Sequence, residues 1–253
     1  MAILTQTEVE AKLRGEDLNT WLQLWQAEQG PAKLSSLQLM AAAIPFPDDK
    51  SLRVLDLCCG PGDAGRAAYT RFPNARIDFV DRDVFFASLC SAVNRRDGVP
   101  GQTLVRDLLT PDWRRDLSGD YDAVVVANAL HWFSLPRAAT LFAEIFGLLR
   151  GGGAFLFMEP SGPEPAFASG FNRWKNAQPS QHRHEDWTQF WSRVNTLLGC
   201  DYIKQHYDRV DQTRIADTLS VLGWIGLLKD AGFQSTDVLL RDVEKVVLIA
   251  LKP

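Results

Sequence analysis

Cysteine is scarce and unpatterned in this chain. Cys58, Cys59, Cys90 and Cys200 are the only four, and none pairs with another as C-x-x-C or at zinc-ligand spacing. That leaves no disulfide framework, and three of the four fall inside predicted strands or helices, where cysteine acts as a small apolar residue. Basic excess is missing too: 27 Lys and Arg stand against 31 Asp and Glu, for a net charge of −4 and a pI near 5.6. A nucleic-acid partner, which needs a basic surface, is therefore not expected. No apolar run approaches the roughly 20 residues that span a bilayer, and the N-terminus has no charged-then-apolar leader pattern. Neither repeats nor low-complexity tracts occur. These absences predict a cytoplasmic protein in a reducing setting, without a membrane partner. What remains, 253 residues with 46% hydrophobic and 23% charged side chains, suffices for one large α/β domain with an appendage or for two small domains.

The chain is organised around Arg53-Val54-Leu55-Asp56-Leu57-Cys58-Cys59-Gly60-Pro61-Gly62-Asp63-Ala64-Gly65. A short apolar run, the pattern of a buried strand, breaks into a glycine turn where backbone can approach a ligand closely. Helix-forming residues follow up to Pro73. Strand, glycine turn and helix form the nucleotide-loop unit of an open parallel sheet. Gly60, Gly62 and Gly65 also satisfy G-x-G-x-x-G, with Asp81 about 20 residues on. That pattern alone suits a dinucleotide as well as other ligands. Asp56 discriminates, because a carboxylate facing the turn would repel a pyrophosphate.

In chain order, amphipathic helices are expected over 5–28, with a capping box at Thr7 and Glu10, and over 32–43. Strands are expected at 52–57, 75–81, 102–106, 121–128 and 154–158, and helices at 83–95 and 136–149, the latter stopped by Gly151-Gly152-Gly153. Alternation of this kind implies βαβ units and a parallel sheet. The rhythm fails over 161–212, which is rich in aromatics, then returns with a helix at 214–230 and strands at 234–240 and 245–251. Two strands joined so tightly must be antiparallel.

In its acidic strand end, its glycine turn and its terminal hairpin, the chain resembles the class I S-adenosylmethionine-dependent methyltransferases over 50–160 and 214–252. The resemblance implies a seven-stranded, mostly parallel, doubly wound sheet with a C-terminal antiparallel hairpin. The expected organisation is an N-terminal helical cap (1–48), a core (49–160 and 213–253) and a lid inserted after strand five (161–212). S-adenosylmethionine carries no phosphate, and its ammonium suits Asp56.

Ligands in such sheets bind at the carboxyl ends of the strands. Gly60 and Gly62 would admit the methionine moiety, and Asp81 would accept the ribose hydroxyls. Arg82 would flank the adenine, Asp107 and the Leu108 amide would meet its edge, and Asn128 would lie beside the sulfonium. Each strand-end Asp or Asn could instead serve as a turn or cap residue. The acceptor side is expected to involve Trp132, Phe133, Glu159 and Trp174, with His131 as a candidate general base at neutral pH or a backbone-bonding residue. Missing motifs argue against pyrimidine C5, nucleic-acid amino and arginine methylation, leaving a small-molecule acceptor. An RNA or protein methyltransferase, a non-catalytic binder and a dinucleotide oxidoreductase remain the alternatives. His182-Arg183-His184-Glu185-Asp186 reads as a solvated charged run, and no metal is expected.

Overall fold

A computed structural model describes residues 4–29, 31–177, 184–203, 219–242 and 245–253. Three helices open the chain: α1 (Gln6–Leu13), α2 (Leu18–Gln29) and α3 (Pro31–Ala43). Alternation follows through β1 (Arg53–Leu57), α4 (Asp63–Arg71), β2 (Arg76–Asp81), α5 (Val84–Asp97), β3 (Thr103–Val105), β4 (Tyr121–Ala127), α6 (Leu135–Leu148) and β5 (Leu149–Pro160). Helices α7 (Ala168–Asn176) and α8 (His184–Leu198) belong to the aromatic segment. Then come α9 (Val221–Asp230), β6 (Ser235–Arg241) and β7 (Lys245–Leu251).

The seven strands form one sheet in the order β3-β2-β1-β4-β5-β7-β6. Its core pairings are parallel, and β7 alone runs antiparallel to its neighbours β5 and β6. The order reverses between β1 and β4, the crevice where such sheets take ligands. Both faces are covered, and the central strands are buried at nearly every position. Leu55, Leu57, Val124 and Val126 pack with Phe142, Ile145 and Trp224 on one face, while Val54, Val125 and Leu156 meet Leu37, Met40 and Ala68 on the other. Successive residues of a strand thus serve opposite layers.

A third apolar cluster stands apart from these two. Val9, Leu13 and Trp21 of the first helices meet Phe85, Phe86 and Leu89 of α5 and Phe190, Trp191, Val194 and Tyr202 of the aromatic segment. Trp21 lies edge-on to Phe85 at 5.2 Å and to Phe190 at 6.0 Å, an arrangement that favours the ring quadrupoles.

Two local expectations change. The capping box is Thr5 with Glu8, not Thr7 with Glu10: the Glu8 amide donates to Thr5 Oγ1 at 3.3 Å and the Thr5 amide to Glu8 Oε2 at 2.7 Å. The helix starts at Gln6, so Thr7 is already inside its first turn. The glycine run does not separate helix from strand either. β5 begins at Leu149, and the glycines form an irregularity between the Tyr121–Leu149 and Ala123–Ala154 pairings. The first part of the expected 214–230 helix, through 218, lies outside the described residues.

Candidate active site

The glycine turn is built by backbone that few side chains tolerate. Cys58, Gly60 and Gly62 all have left-handed φ, at 50°, 53° and 90°. A side chain at Gly62 would strike Cys90 Sγ at 2.7 Å, and one at Gly65 would strike Phe79 at 2.4 Å, so Gly65 lets α4 press against β2. Cys58 carries a side chain in a conformation that costs of order 1 kcal/mol or more, strain of the kind held at ligand sites. Asp56 secures the turn from below, where its Oδ2 accepts the Gly65 amide at 2.8 Å and the residue is 1% exposed. Burial pushes its carboxyl well above the usual carboxylate range, against the opposing pull of that amide.

At the end of β2, Asp81 ties the turn to the next helix. Its Oδ2 accepts the Gly60 amide and its Oδ1 the Asp83 amide, each at 2.8 Å. Asp83 caps α5 by accepting from the Phe86 amide at 3.0 Å, and it also accepts the Tyr202 hydroxyl at 3.0 Å. Arg82 is partly exposed and acts electrostatically on the Cys58 thiol. Past β3, Asp107 Oδ1 accepts the Leu109 amide at 2.9 Å, a turn of Asx type. The Leu108 side chain is buried in the main core, and its carbonyl accepts Arg137 Nε at 2.6 Å.

Asn128, also left-handed at φ 55°, closes β4 and donates its amide to Met158 O at 2.8 Å. A short 3₁₀ turn, Leu130–Trp132, then crosses the end of β5. There Glu159 has no exposed surface. Its Oε1 accepts the Ala129 and Leu130 amides, both at 2.8 Å, and its Oε2 the His131 amide at 3.3 Å. His131 Nδ1 lies 2.7 Å from Glu159 Oε2. A carboxylate offers only acceptors, so Nδ1 carries the hydrogen of this contact. Trp132 sits beside His131, ring centroids 5.1 Å apart, and is partly exposed. Phe133 is buried in the main core. Trp174 is 47% exposed on α7, where its ring lies 6.2 Å from Phe171. Asp81, Asp107, Asn128 and Glu159 thus stand at or just past the carboxyl ends of β2, β3, β4 and β5, Phe133 is taken up by the core, and Trp174 stands on a surface helix.

Three participants escaped the sequence reading. Trp25 of α2 lies over the turn: its ring carbon Cζ2 is 3.7 Å from where a Gly60 side chain would start, and its Nε1 donates to Asp63 Oδ2 at 2.8 Å. Lys33 of α3 is 8% exposed, with Nζ 5.0 Å above the Trp25 ring. Tyr202 braces the cap of α5. Trp25 and Lys33 looked like ordinary amphipathic-helix residues, and no local spacing ties them to the turn. The only available signal was the cost of placing a lysine on the apolar stretch 31–43.

The carboxyl groups of Asp56, Asp63, Asp81 and Glu159 therefore lie near one glycine turn, with Asp56 favoured in its neutral form by burial and Asp63 paired with Arg66 at 2.7 Å, a setting that opposes a pyrophosphate. Among the described residues, no group of three or more His, Cys, Asp or Glu could hold a metal ion. His182 and Arg183 lie outside the described residues.

Known proteins point the same way. A family described as "Methyltransferase domain" matches residues 54–153, from the glycine-turn strand to the start of β5. It is residues 54–153, and not the chain as a whole, that match a methyltransferase domain. The trans-aconitate 2-methyltransferase of Variovorax paradoxus (strain S110) is 32% identical over 130 residues, 50% of this chain and 45% of that protein. The chain thus spans about half the length of the curated relative it matches. A proposed O-methyltransferase of Nostoc punctiforme PCC 73102 shares the fold at TM-score 0.61 and 19% identity, over 92% of this chain and 60% of that one. An O-methyltransferase family 2 protein of Planctomyces limnophilus DSM 3776, solved with apigenin, does so at TM-score 0.56 and 16% identity, over 86% and 56%. The matched methyltransferase domain contains the turn, Asp81, Asp107, Asn128 and His131. It excludes Trp25, Lys33 and Glu159.

Proposed function

We propose that this methyltransferase transfers a methyl group from S-adenosylmethionine to a small-molecule hydroxyl, with His131 as the general base. The observation that carries the assignment is the 2.7 Å contact between His131 Nδ1 and the wholly buried Glu159. An imidazole held in one tautomer by a carboxylate presents Nε2 as a proton acceptor matched to neutral pH. In this reading Glu159 positions His131 and does not touch the acceptor. Asp81 would take the ribose hydroxyls, the acidic turn would take the ammonium, and Asp107 with the Leu108 amide and Arg82 would flank the adenine. Asn128 and Trp132 would border the reacting centre. When bound, the cofactor supplies an electrophilic methyl on a sulfonium. The protein's part is to hold the acceptor in line, exclude water and remove the hydroxyl proton.

The relative from Variovorax paradoxus is named for a carboxylate acceptor, which has no proton to lose at neutral pH. The built His131–Glu159 pair favours a phenol or enol over a carboxylate for this chain. Helices α1, α2 and α8 are read as one cap on the domain, because α8 packs on α1 and α2. No described helix is long and apolar enough to cross a membrane, and a cytoplasmic setting is part of the proposal.

A panel of phenols and small polycarboxylates, assayed with S-adenosylmethionine, tests acceptor class and base together. With a phenolic acceptor, His131→Gln should slow single-turnover methyl transfer by about 100-fold or more and remove the acidic limb of the pH–rate profile. A wild-type rate in that variant, or turnover of carboxylates alone, would withdraw the base. Absence of S-adenosylmethionine binding in the intact protein would withdraw the function.

A further inference from the structure

The segment that follows β3 is held from outside by α6. Arg137 and Glu144 stand seven residues apart on that helix, two turns along one face. Both side chains are only 15% exposed, and Arg137 Nη2 donates to Glu144 Oε2 at 2.8 Å. The same oxygen accepts the indole Nε1 of the fully buried Trp113, also at 2.8 Å. Arg137 Nε donates in turn to the Leu108 carbonyl at 2.6 Å. Residues 108 and 113 are thus both tied to α6, one through a guanidinium and one through the carboxylate that orients it.

The turn at 107–110 is already closed within itself, because the Thr110 amide and hydroxyl both donate to the Asp107 carbonyl, at 2.9 and 2.8 Å. What Arg137 adds is the orientation of one peptide unit. The Leu108–Leu109 peptide has its carbonyl on Arg137 and its N–H on Asp107 Oδ1, the latter at 2.9 Å. A charge-assisted bond at the carbonyl polarises the unit and strengthens its N–H as a donor. Asp107 Oδ1 is anchored in this way, and the direction of Oδ2 is set with it. Resting on the S-adenosylmethionine reading above, in which Asp107 meets the adenine edge, we infer that Arg137, backed by Glu144, is a positioning residue for base discrimination. It holds the Asp107 carboxylate where it accepts from an exocyclic amine and opposes a base that presents a carbonyl oxygen instead. In this reading Arg137 does not touch the ligand. A carboxylate free to turn aside would discriminate less, since rejection depends on leaving two acceptors face to face.

Calorimetric titration of the full chain with S-adenosylhomocysteine and with its hypoxanthine counterpart, S-inosylhomocysteine, isolates this effect. Wild type should prefer the adenine ligand by about 10- to 100-fold, the range for a charge-assisted hydrogen bond. Arg137→Met, which keeps the length of the side chain without its donors, should bind the two ligands within about threefold of each other. The double variant Arg137→Met, Glu144→Gln serves if the single one fails to fold, because it removes both partly buried charges together. An undiminished preference in a folded variant, or an equal loss of affinity for both ligands, would make Arg137 a structural brace and overturn the inference. If wild type binds neither ligand, the S-adenosylmethionine reading fails with it. If wild type binds both equally, the adenine role of Asp107 fails, and the inference falls with that role. A preference that Asp107→Ala abolishes and the folded Arg137 variants keep refutes this inference alone.

Discussion

The crevice at the β1–β4 switch and the helical layer formed by α1, α2, α5 and α8 are held together by different forces. In the crevice, short polar contacts to main-chain amides fix the geometry: Asp56 to Gly65, Asp81 to Gly60 and Asp83, Glu159 to three consecutive amides. In the helical layer, Trp21, Phe85, Phe190 and Trp191 are 1% exposed or less and meet mostly edge-on. Directional bonds set atoms to within a fraction of an ångström but contribute modest net free energy, about 0.5–1.5 kcal/mol each between neutral groups and about 1.5–3 kcal/mol to a charged one. Apolar burial is non-directional but large. Geometry is therefore concentrated in one region and stability in the other. The two meet at Trp25, whose ring lies 4.9 Å from Phe86 while its indole nitrogen holds Asp63.

The strongest challenge to this division is Trp21→Ala. Emptying a fully buried indole site should cost about 3–5 kcal/mol in denaturant unfolding. S-adenosylhomocysteine affinity, measured under native conditions, should change by less than about threefold. A parallel collapse of affinity would mean that helical layer and crevice behave as one unit, joined through α2.

Asp81→Ala should behave inversely. Loss of a charged acceptor should weaken S-adenosylhomocysteine binding by about 10- to 100-fold, or roughly 1.5–3 kcal/mol. Unfolding should shift less than for Trp21→Ala, because losing a charged hydrogen bond costs less than emptying an indole site. Unchanged affinity in a folded variant would remove Asp81 from the ligand site.

The smallest effect, and the one that sharpens the contrast most, is expected for Asp56→Asn. Burial raises the Asp56 pKa in the folded protein, so the folded state keeps a proton that the unfolded chain has already released. That contribution is fully present below the ordinary carboxylate value and is lost as pH rises through the folded value. Wild-type thermal stability should show this decline, and Asp56→Asn, whose amide oxygen can still accept from Gly65, should lack it. The variant should therefore gain on wild type with rising pH while binding S-adenosylhomocysteine more weakly. Identical pH–stability curves would remove burial of the charge as a factor at this position.

Much of the fold was legible in the residues. Strands β1, β2 and β4 could be read because buried parallel strands are short, continuous and apolar, and the turn could be read because left-handed backbone selects glycine. The β6–β7 hairpin followed from the shortness of its connection. The same local logic misplaced the capping box, since Thr5 and Thr7 both precede a glutamate by three residues and only the register of α1 on α5 separates them.

Local sequence determined the sheet, the turn and the row of polar residues at the strand ends, because each depends on period and backbone preference over a few neighbouring residues. Tertiary structure alone decided which of those residues act on one another. His131 and Glu159 lie 28 residues apart and Trp25 and Asp63 38 apart. They meet because β5 lies beside β4 and because α2 and α3 fold back over the turn. Neither side chain of either pair carries a mark of its partner in the chain around it. A buried ionic contact is selected by the shape and charge of the cavity it completes, and that cavity does not exist until the layers have packed.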